Sequence, residues 1–319
     1  MDRVSHHAQK VESAILKNGA AQSALIASWS RSARLHRLDA SGRGATERLT
    51  EAEFAAARER AEPMLRAAGP TLDRLFQTVG GVGCCVMLAD ADGVPLDRRG
   101  AAGDDGDFRA GGLWLATRWS EAAQGTNGIG TCLAEDRAVT IHRDQHFLAR
   151  NTALSCMTAP LYDPLGRLAG ALDVSSARGD LTPGFTTLIA QSVSEAARTI
   201  ETEAFRQAFP AARIVMLPAA KGGVGLLAVD GDDLIIGATR AARRALSLPE
   251  VLADRPLVAA DLLGGAGDGL DRAERGVIVR ALARAGGNVT AAARDLGISR
   301  ATLHRKLAQL PPDAADLSQ

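Results

Sequence analysis

Arg300, Thr302, His304, Arg305 and Lys306 follow Ser299 within a single stretch of seven residues. Cations and hydroxyls gathered on one short rod suit a nucleic acid. An arginine grips guanine O6 and N7 with two hydrogen bonds, whereas threonine and lysine hold phosphates. The spacing supplies the rod. Leu303, Leu307 and Leu310 recur at i, i+4 and i+7, so a helix from Arg300 to Gln309 turns them inward and leaves the cations outside. Ser299 caps that helix, Ile298 plugs the corner before it, and Gly297 tolerates the positive φ of a sharp turn. Upstream, Asn288 caps a short helix from Val289 to Leu296, whose Ala291, Ala292 and Ala293 allow close approach. A further helix, Leu270 to Ala285, carries Leu270, Ala273, Val277, Ala281 and Leu282 at helical steps. Two capped helices around a glycine turn make a helix-turn-helix, the second helix of which enters the major groove. The plain alternative is a helical hairpin used only for packing.

Charge favours the first reading. From Asp268 to Leu310 eight Arg and Lys face four acids, a surplus of four in a chain whose formal net charge is zero. A local basic surplus is an electrostatic footprint for nucleic acid. The stretch GNVTAAARDLGISRATLHRKL, 287–307, closely resembles the Fis-type helix-turn-helix at the C-terminus of many bacterial enhancer-binding regulators, a likeness that covers 270–310. The resemblance implies that Ser299, Arg300 and Arg305 face bases while Thr290, Thr302 and Lys306 hold phosphates. His304 stands where that pattern often has a larger basic or aromatic residue.

Elsewhere the chemistry-bearing residues are scattered. His142 and His146 have the i, i+4 spacing of a metal pair, but HRDQH lacks the glutamate beside the first histidine, and a strand ending at His142 spoils the helical alignment. No metal is expected. Gly125, Gly128 and Gly130 run in the wrong order for a dinucleotide fingerprint and read as a tight loop at a helix start, where Asn127 could present a polar group. Cys84 and Cys85, adjacent on a strand, point to opposite faces, so at most one lines a cavity. With Cys132 and Cys156 they form no CxxC pair, which suggests reduced thiols rather than a disulfide framework; redox sensing is the alternative. Trp114 and Trp119 either wall a cavity or fill a core poor in aromatics. The candidate ligand-binding residues are therefore Cys84, Trp114, Trp119, Asn127, His142 and Cys156. No nucleophile, base and orienting group can be assembled, so neither catalysis nor a cofactor is expected.

These residues need elements to hold them. Pro70-Thr71-Leu72 opens a helical stretch to Gln77; Cys84 to Ala89 is a short apolar strand before the turn Asp90-Ala91-Asp92-Gly93. Gly111 to Ser120 is mixed. Ala138 to His142, Thr158 to Tyr162 and Leu168 to Val174 read as strands, the last two joined at Asp163-Pro164-Leu165-Gly166. Thr182-Pro183 starts a helix to about Phe209, striped with Phe185, Leu188, Ile189, Ser192, Ala196, Ile200 and Ala204. The stripe outruns one small domain: its first half at least reads as packed on the chain's own sheet, and a parallel seam with a second chain would use what continues. An N-terminal helix, Ala8 to His36, buries Trp29. Arg213 to Leu217, Gly225 to Val229 and Leu234 to Ala238 are strands before a helix from Arg240 to Leu246.

The order is that of an antiparallel α+β sensor. SWSRSARLHRLD (28–39), GTNGIGTCLAEDRAV (125–139), QHF (145–147) and APLYDPLGRLAGALDVSS (159–176) resemble the N-terminal sensory half of the acetoin-catabolism regulator family. That half contains a GAF domain, and the resemblance implies a small-molecule sensor controlling a nearby catabolic operon. GLLAVDGDDLIIGATRAARRAL (225–246) resembles the opening of a PAS domain, cut to about fifty residues. The expected architecture is α+β and multidomain: an N-terminal helical segment (1–70), a GAF-like antiparallel sheet with flanking helices (71–208), a small truncated PAS-like segment (209–262), a tether (263–269) and an all-α Fis-type helix-turn-helix (270–312).

Relatives with such a head often carry an ATPase between sensor and reader. A phosphate-cradling loop needs GxxxxGK[ST], yet none of Lys10, Lys17, Lys221 and Lys306 follows a glycine. The ATPase is expected to be missing, which points to repression or plain recruitment. With 46% hydrophobic residues, a mean hydropathy of −0.02, no bilayer-length apolar run and no signal-peptide core, a cytoplasmic protein is expected, away from membranes. The expected function is a homodimeric transcription regulator that senses a small molecule and binds a palindromic site on double-stranded DNA, with RNA polymerase as a further candidate partner. One alternative is an accessory protein assembling with an ATPase-containing sigma-54 activator. Another is a redox or enzymatic module whose helical tail serves oligomerisation.

Overall fold

The computed structural model describes residues 3–307 apart from 18, 22, 43–45, 219–222, 232, 250–256, 264–273, 275, 279, 280 and 283. The chain divides into two compact units, Met1–Ala228 with Ile236–Glu250, and Val229–Ile235 with Val251–Gln319. Of the expected tether only Leu263 is described, at the end of a short helix, and the start of the helix expected from Leu270 lies outside the described residues.

The first unit begins with helices α1 (Arg3–Leu16) and α2 (Ala24–Arg34), separated by a 3-10 turn at Gly19–Ala21. One continuous helix from Ala8 to His36 is thus corrected to two. The cause is local: Ser23 adopts an extended conformation and accepts from the Ile26 N–H, so it starts a new helix rather than continuing the old one. Trp29 is buried with Val11, Ile15, Phe147 and Leu148. Next come α3 (Glu51–Arg60), opened by a Thr50/Glu53 capping box, and α4 (Glu62–Val79). Pro70 sits inside α4 rather than at its start. Ala68, Leu72, Leu75 and Val79 recur every three or four residues and are all buried, and this packing outweighs the cost of a mid-helix proline.

Five antiparallel strands form the sheet: β1 (Cys84–Asp90), β2 (Pro95–Arg99), β3 (Val139–His142), β4 (Ser155–Tyr162) and β5 (Leu168–Ser176), in the order β2-β1-β5-β4-β3. The edge strand β2 and the helices α3 and α5 (Asp105–Ala110) escape a sequence reading because their apolar residues are few. The sheet has two buried faces. Cys84, Val86 and Leu88 face α4 and the long helix α8 (Pro183–Ala208). Cys85, Met87 and Ala89 face the opposite layer, built from α5, the short α6 (Glu121–Gln124) and α7 (Gly128–Glu135). On α8 the buried stripe runs through Ile189, Val193, Ala196, Ala197 and Ile200, whereas Leu188 is 60% exposed.

Beyond α8, β6 (Arg213–Pro218), β7 (Val224–Val229) and β8 (Ile235–Ala238) form a three-stranded sheet, followed by α9 (Arg240–Leu246). Phe205 and Phe209 of the α8 end stack on this sheet beside Leu226 and Ala228. In the second unit, α10 (Ala259–Leu263) precedes the helix-turn-helix.

Candidate functional site

The scaffold helix of the helix-turn-helix is Val289–Asp295 and the recognition helix Arg300–Leu307. Asn288 caps the first by accepting from the Ala291 N–H at 3.0 Å, and Ser299 caps the second through the Thr302 N–H at 3.1 Å. Gly297 turns between them at φ +66°. Leu303 is fully buried with Ile278, Ala281, Leu282, Ala292 and Ala293, and Leu307 is partly buried. The preceding helix therefore points Ile278 inward, while Val277, read from the sequence as the inward residue, is 44% exposed. The sequence places both residues beside the apolar seam, and only the angle of packing decides between them. Leu310 lies outside the described residues.

Around this core Thr290, Ser299, Arg300, His304 and Arg305 are exposed, and Thr302 and Lys306 half-exposed. Three of them are already engaged. Ser299 and Thr302 share a hydroxyl contact of 2.8 Å besides the cap, and the Lys306 ammonium is clasped by Glu274 from the preceding helix. Arg300 and Arg305 stand on the outer face, where guanidinium forks can meet base edges.

In the first unit the candidate ligand residues part company. Cys84 lies on the α4/α8 face, while Trp119, Cys156 and, more loosely, Trp114 belong to the opposite face. Trp119 is fully buried and donates its Nε1–H to the Gly112 carbonyl, whereas Trp114 is only half-buried. Asn127 caps α7: its Oδ1 accepts from the Gly130 N–H and its Nδ2 donates to the Gly125 carbonyl, both at 2.8 Å. His142 is half-buried, with Nδ1 2.9 Å from the Ser155 hydroxyl. His146, four residues on, is wholly buried and meets Cys156 instead, in keeping with the reading that the two histidines are no metal pair.

Strand register builds a polar row that a reading of isolated residues passes over. Thr158 lies opposite Asp173, and Cys156 opposite Ser175. Asp173 is fully buried and accepts hydrogen bonds from Thr158 at 2.5 Å and Ser175 at 2.6 Å. Burial pushes its carboxyl up to about 6, against the pull of those hydroxyls. His146 Nδ1 lies 2.9 Å from the Arg143 carbonyl, which can only accept, so Nδ1 carries the proton and Nε2 is left to accept from the Cys156 thiol at 3.4 Å. Burial holds this histidine neutral, lowering its pKa to about 4, and raises the Cys156 thiol. All four cysteines are free and buried. The row was legible in principle: LDVSS alternates apolar Leu172 and Val174 with polar Asp173 and Ser175, the period of a strand with one polar face.

A second network ties the N-terminal helices to this unit. Glu121, 4% exposed, accepts from Ser28 at 2.6 Å and from Arg31, and Arg31 also reaches Glu135 at 3.1 Å. These bonds raise the Arg31 pKa. The His7 Nε2 atom meets the backbone carbonyls of His146 and Phe147 at 3.0 and 3.1 Å. No helix among the described residues is long and apolar enough to cross a membrane.

Comparison with known proteins agrees with this geometry. Residues 2–197 match the family described as "MimR, N-terminal domain", and residues 269–310 match "Bacterial regulatory protein, Fis family". The acetoin catabolism regulatory protein of Cupriavidus necator is 34% identical over 72% of this chain and 35% of its own length. The propane 2-monooxygenase operon transcriptional activator MimR of Mycolicibacterium smegmatis is 30% identical over 53% of this chain and 29% of its own. The chain thus spans about a third of the length of these curated relatives. Among solved structures, the E. coli DhaR(N)–DhaL complex contains a chain that superposes with a TM-score of 0.52 at 19% identity, covering 71% of this chain and 78% of that one. That likeness bears on the fold.

Proposed function

The chain belongs to the MimR N-terminal-domain family and carries a Fis-type helix-turn-helix at residues 269–310, and we propose that it is a DNA-binding transcriptional regulator whose N-terminal part senses a small molecule. The observation that supports this best is the recognition helix itself: Leu303 is fully buried while Arg300, His304 and Arg305 are exposed around it. A helix used only for packing gains nothing from such a one-sided row of cations. The relatives named for acetoin catabolism and the propane 2-monooxygenase operon support control of a catabolic operon. In this reading residues 71–208 are a GAF-like sensor, 209–262 a truncated PAS-like spacer, and 270–312 the head, and two copies pair so that two heads meet one palindromic site. Pairing along the α8 helix is supported by exposed Leu188. The bases are read by Arg300 and Arg305, and the phosphates are held by Thr290, Thr302 and Lys306.

The test is to sequence genomic fragments retained by the purified chain and then measure affinity for the enriched site. A shared two-fold symmetric sequence is expected, and Arg300→Ala is expected to cost about 1–3 kcal/mol of binding and relax base preference at one position. Fragments without a common sequence, or an Arg300→Ala variant with full affinity and selectivity, would sink the reading.

A further inference from the structure

Trp114, half-exposed, opens onto a cavity that no residue of the buried Asp173 row lines. About 490 Å³ in volume, the cavity is lined by Thr46, Arg48, Arg109, Trp114, Thr117 and Arg150 among others. Three arginines border one space, and none of the described residues lining it is an aspartate or glutamate. Two acids close by in sequence have partners elsewhere: Glu47 bridges Arg118 at 2.8 Å and Asp105 lies 2.6 Å from Arg98. The Arg150 guanidinium donates to the Gly42 carbonyl at 3.0 Å and to Gln124 Oε1 at 2.9 Å, contacts that help hold it in place. Burial works against its charge and lowers its pKa. Arg109 lies 3.7 Å above the Trp114 ring and Arg98 4.3 Å above it, so the indole is already engaged by cations and recognition falls to charge and hydrogen bonding.

We propose that this cavity binds a compact polyanion, a small molecule carrying two or more acidic oxyanion groups, through Arg48, Arg109 and Arg150 with the Thr46 hydroxyl as a neutral partner. Guanidinium forks match carboxylate and phosphate oxygens in two-bond geometry, and like charges gathered at one cavity are relieved by an anion between them. The volume falls within the roughly 300–1,000 Å³ of small-molecule sites. Arg150 joins the cavity to Gln124, the last residue of α6, three residues from the buried Glu121 that holds Arg31 of α2. An anion that draws on Arg150 therefore pulls on the element to which the N-terminal helices are tied. As the ligand site of the sensor the cavity rests on the regulatory reading above; as a binding site it does not.

The experiment titrates the full chain with citrate and with inorganic phosphate, each against sodium chloride at matched ionic strength, followed by tryptophan fluorescence and calorimetry. Saturable citrate binding with a dissociation constant below about 1 mM is expected. Arg48→Ala and Arg109→Ala, both at exposed positions, are each expected to weaken it at least about tenfold without moving the unfolding midpoint of the free protein. Citrate and phosphate acting no differently from chloride overturn the site, as does binding that survives the double variant. DNA affinity is measured separately, with and without citrate. Anion binding that leaves DNA affinity unmoved overturns the sensory role and keeps the site; anion binding by a chain that retains no specific DNA overturns the regulatory reading alone.

Discussion

Lys306 is clasped by Glu274, so in the proposed complex a phosphate must displace that carboxylate before the lysine can serve DNA. Glu274→Gln is therefore expected to tighten operator binding a few-fold and to steepen its salt dependence by about 0.9 in log–log slope, the signature of one more released counterion; a competition assay at several salt concentrations reads both. Asp173 shows how burial sets chemistry at single residues. Its folded pKa, about 6, lies above the ordinary carboxylate value of 3.8. The protonated acid is therefore favoured by folding: its contribution is full below about pH 4 and is lost as pH rises through 6. Urea unfolding of wild type and Asp173→Asn should differ by an amount that changes between pH 4 and pH 7 on the order of 3 kcal/mol, wild type losing ground as pH rises. A pH-independent difference would show that folding leaves the pKa of this carboxyl unshifted. Trp114 and Trp119 were indistinguishable as types, and burial alone separates them: one fills the core and one borders a cavity.

At the scale of elements, α7 meets the sheet through Gly128. A Cβ there would come within 2.5 Å of both the Cys156 Cβ and the Thr158 Oγ1 and 2.9 Å of the Asp173 Oδ1, so only glycine lets the helix start rest on the polar row. Gly128→Ala should lift α7 from β4 and β5 and cost about 1–3 kcal/mol, the usual price of overpacking a tight core; a variant that unfolds at the wild-type urea midpoint would contradict the contact. Elements with strong local signals were legible in the sequence. The Thr182 cap and Pro183 start α8 where expected, and β3, β4, β5 and α9 lie within a few residues of their expected bounds. Elements whose signal is tertiary were not. The proline of α4 reads as a helix start, yet the turns on either side of it share one buried stripe.

At the scale of the molecule, the helix-turn-helix core of Ile278, Leu282, Ala292, Ala293 and Leu303 belongs to one compact unit, and all three tryptophans belong to the other. Leu303→Ala is thus expected to abolish DNA binding, since losing a fully buried leucine costs about 2–5 kcal/mol, while the unfolding transition followed by tryptophan fluorescence stays in place. A shifted fluorescence midpoint would show that the units unfold together. From the sequence alone came the α+β class, the C-terminal head with its caps, its glycine turn and its cations, and the family likeness. Each is written in spacings of two to four residues, the range over which one turn of helix or one pleat of strand acts. Tertiary structure alone decided which distant residues meet: Thr158 beside Asp173 through strand register, Arg31 on Glu121, and Arg48, Arg109 and Arg150 around one cavity. Those meetings depend on how whole elements pack, and no local periodicity records that.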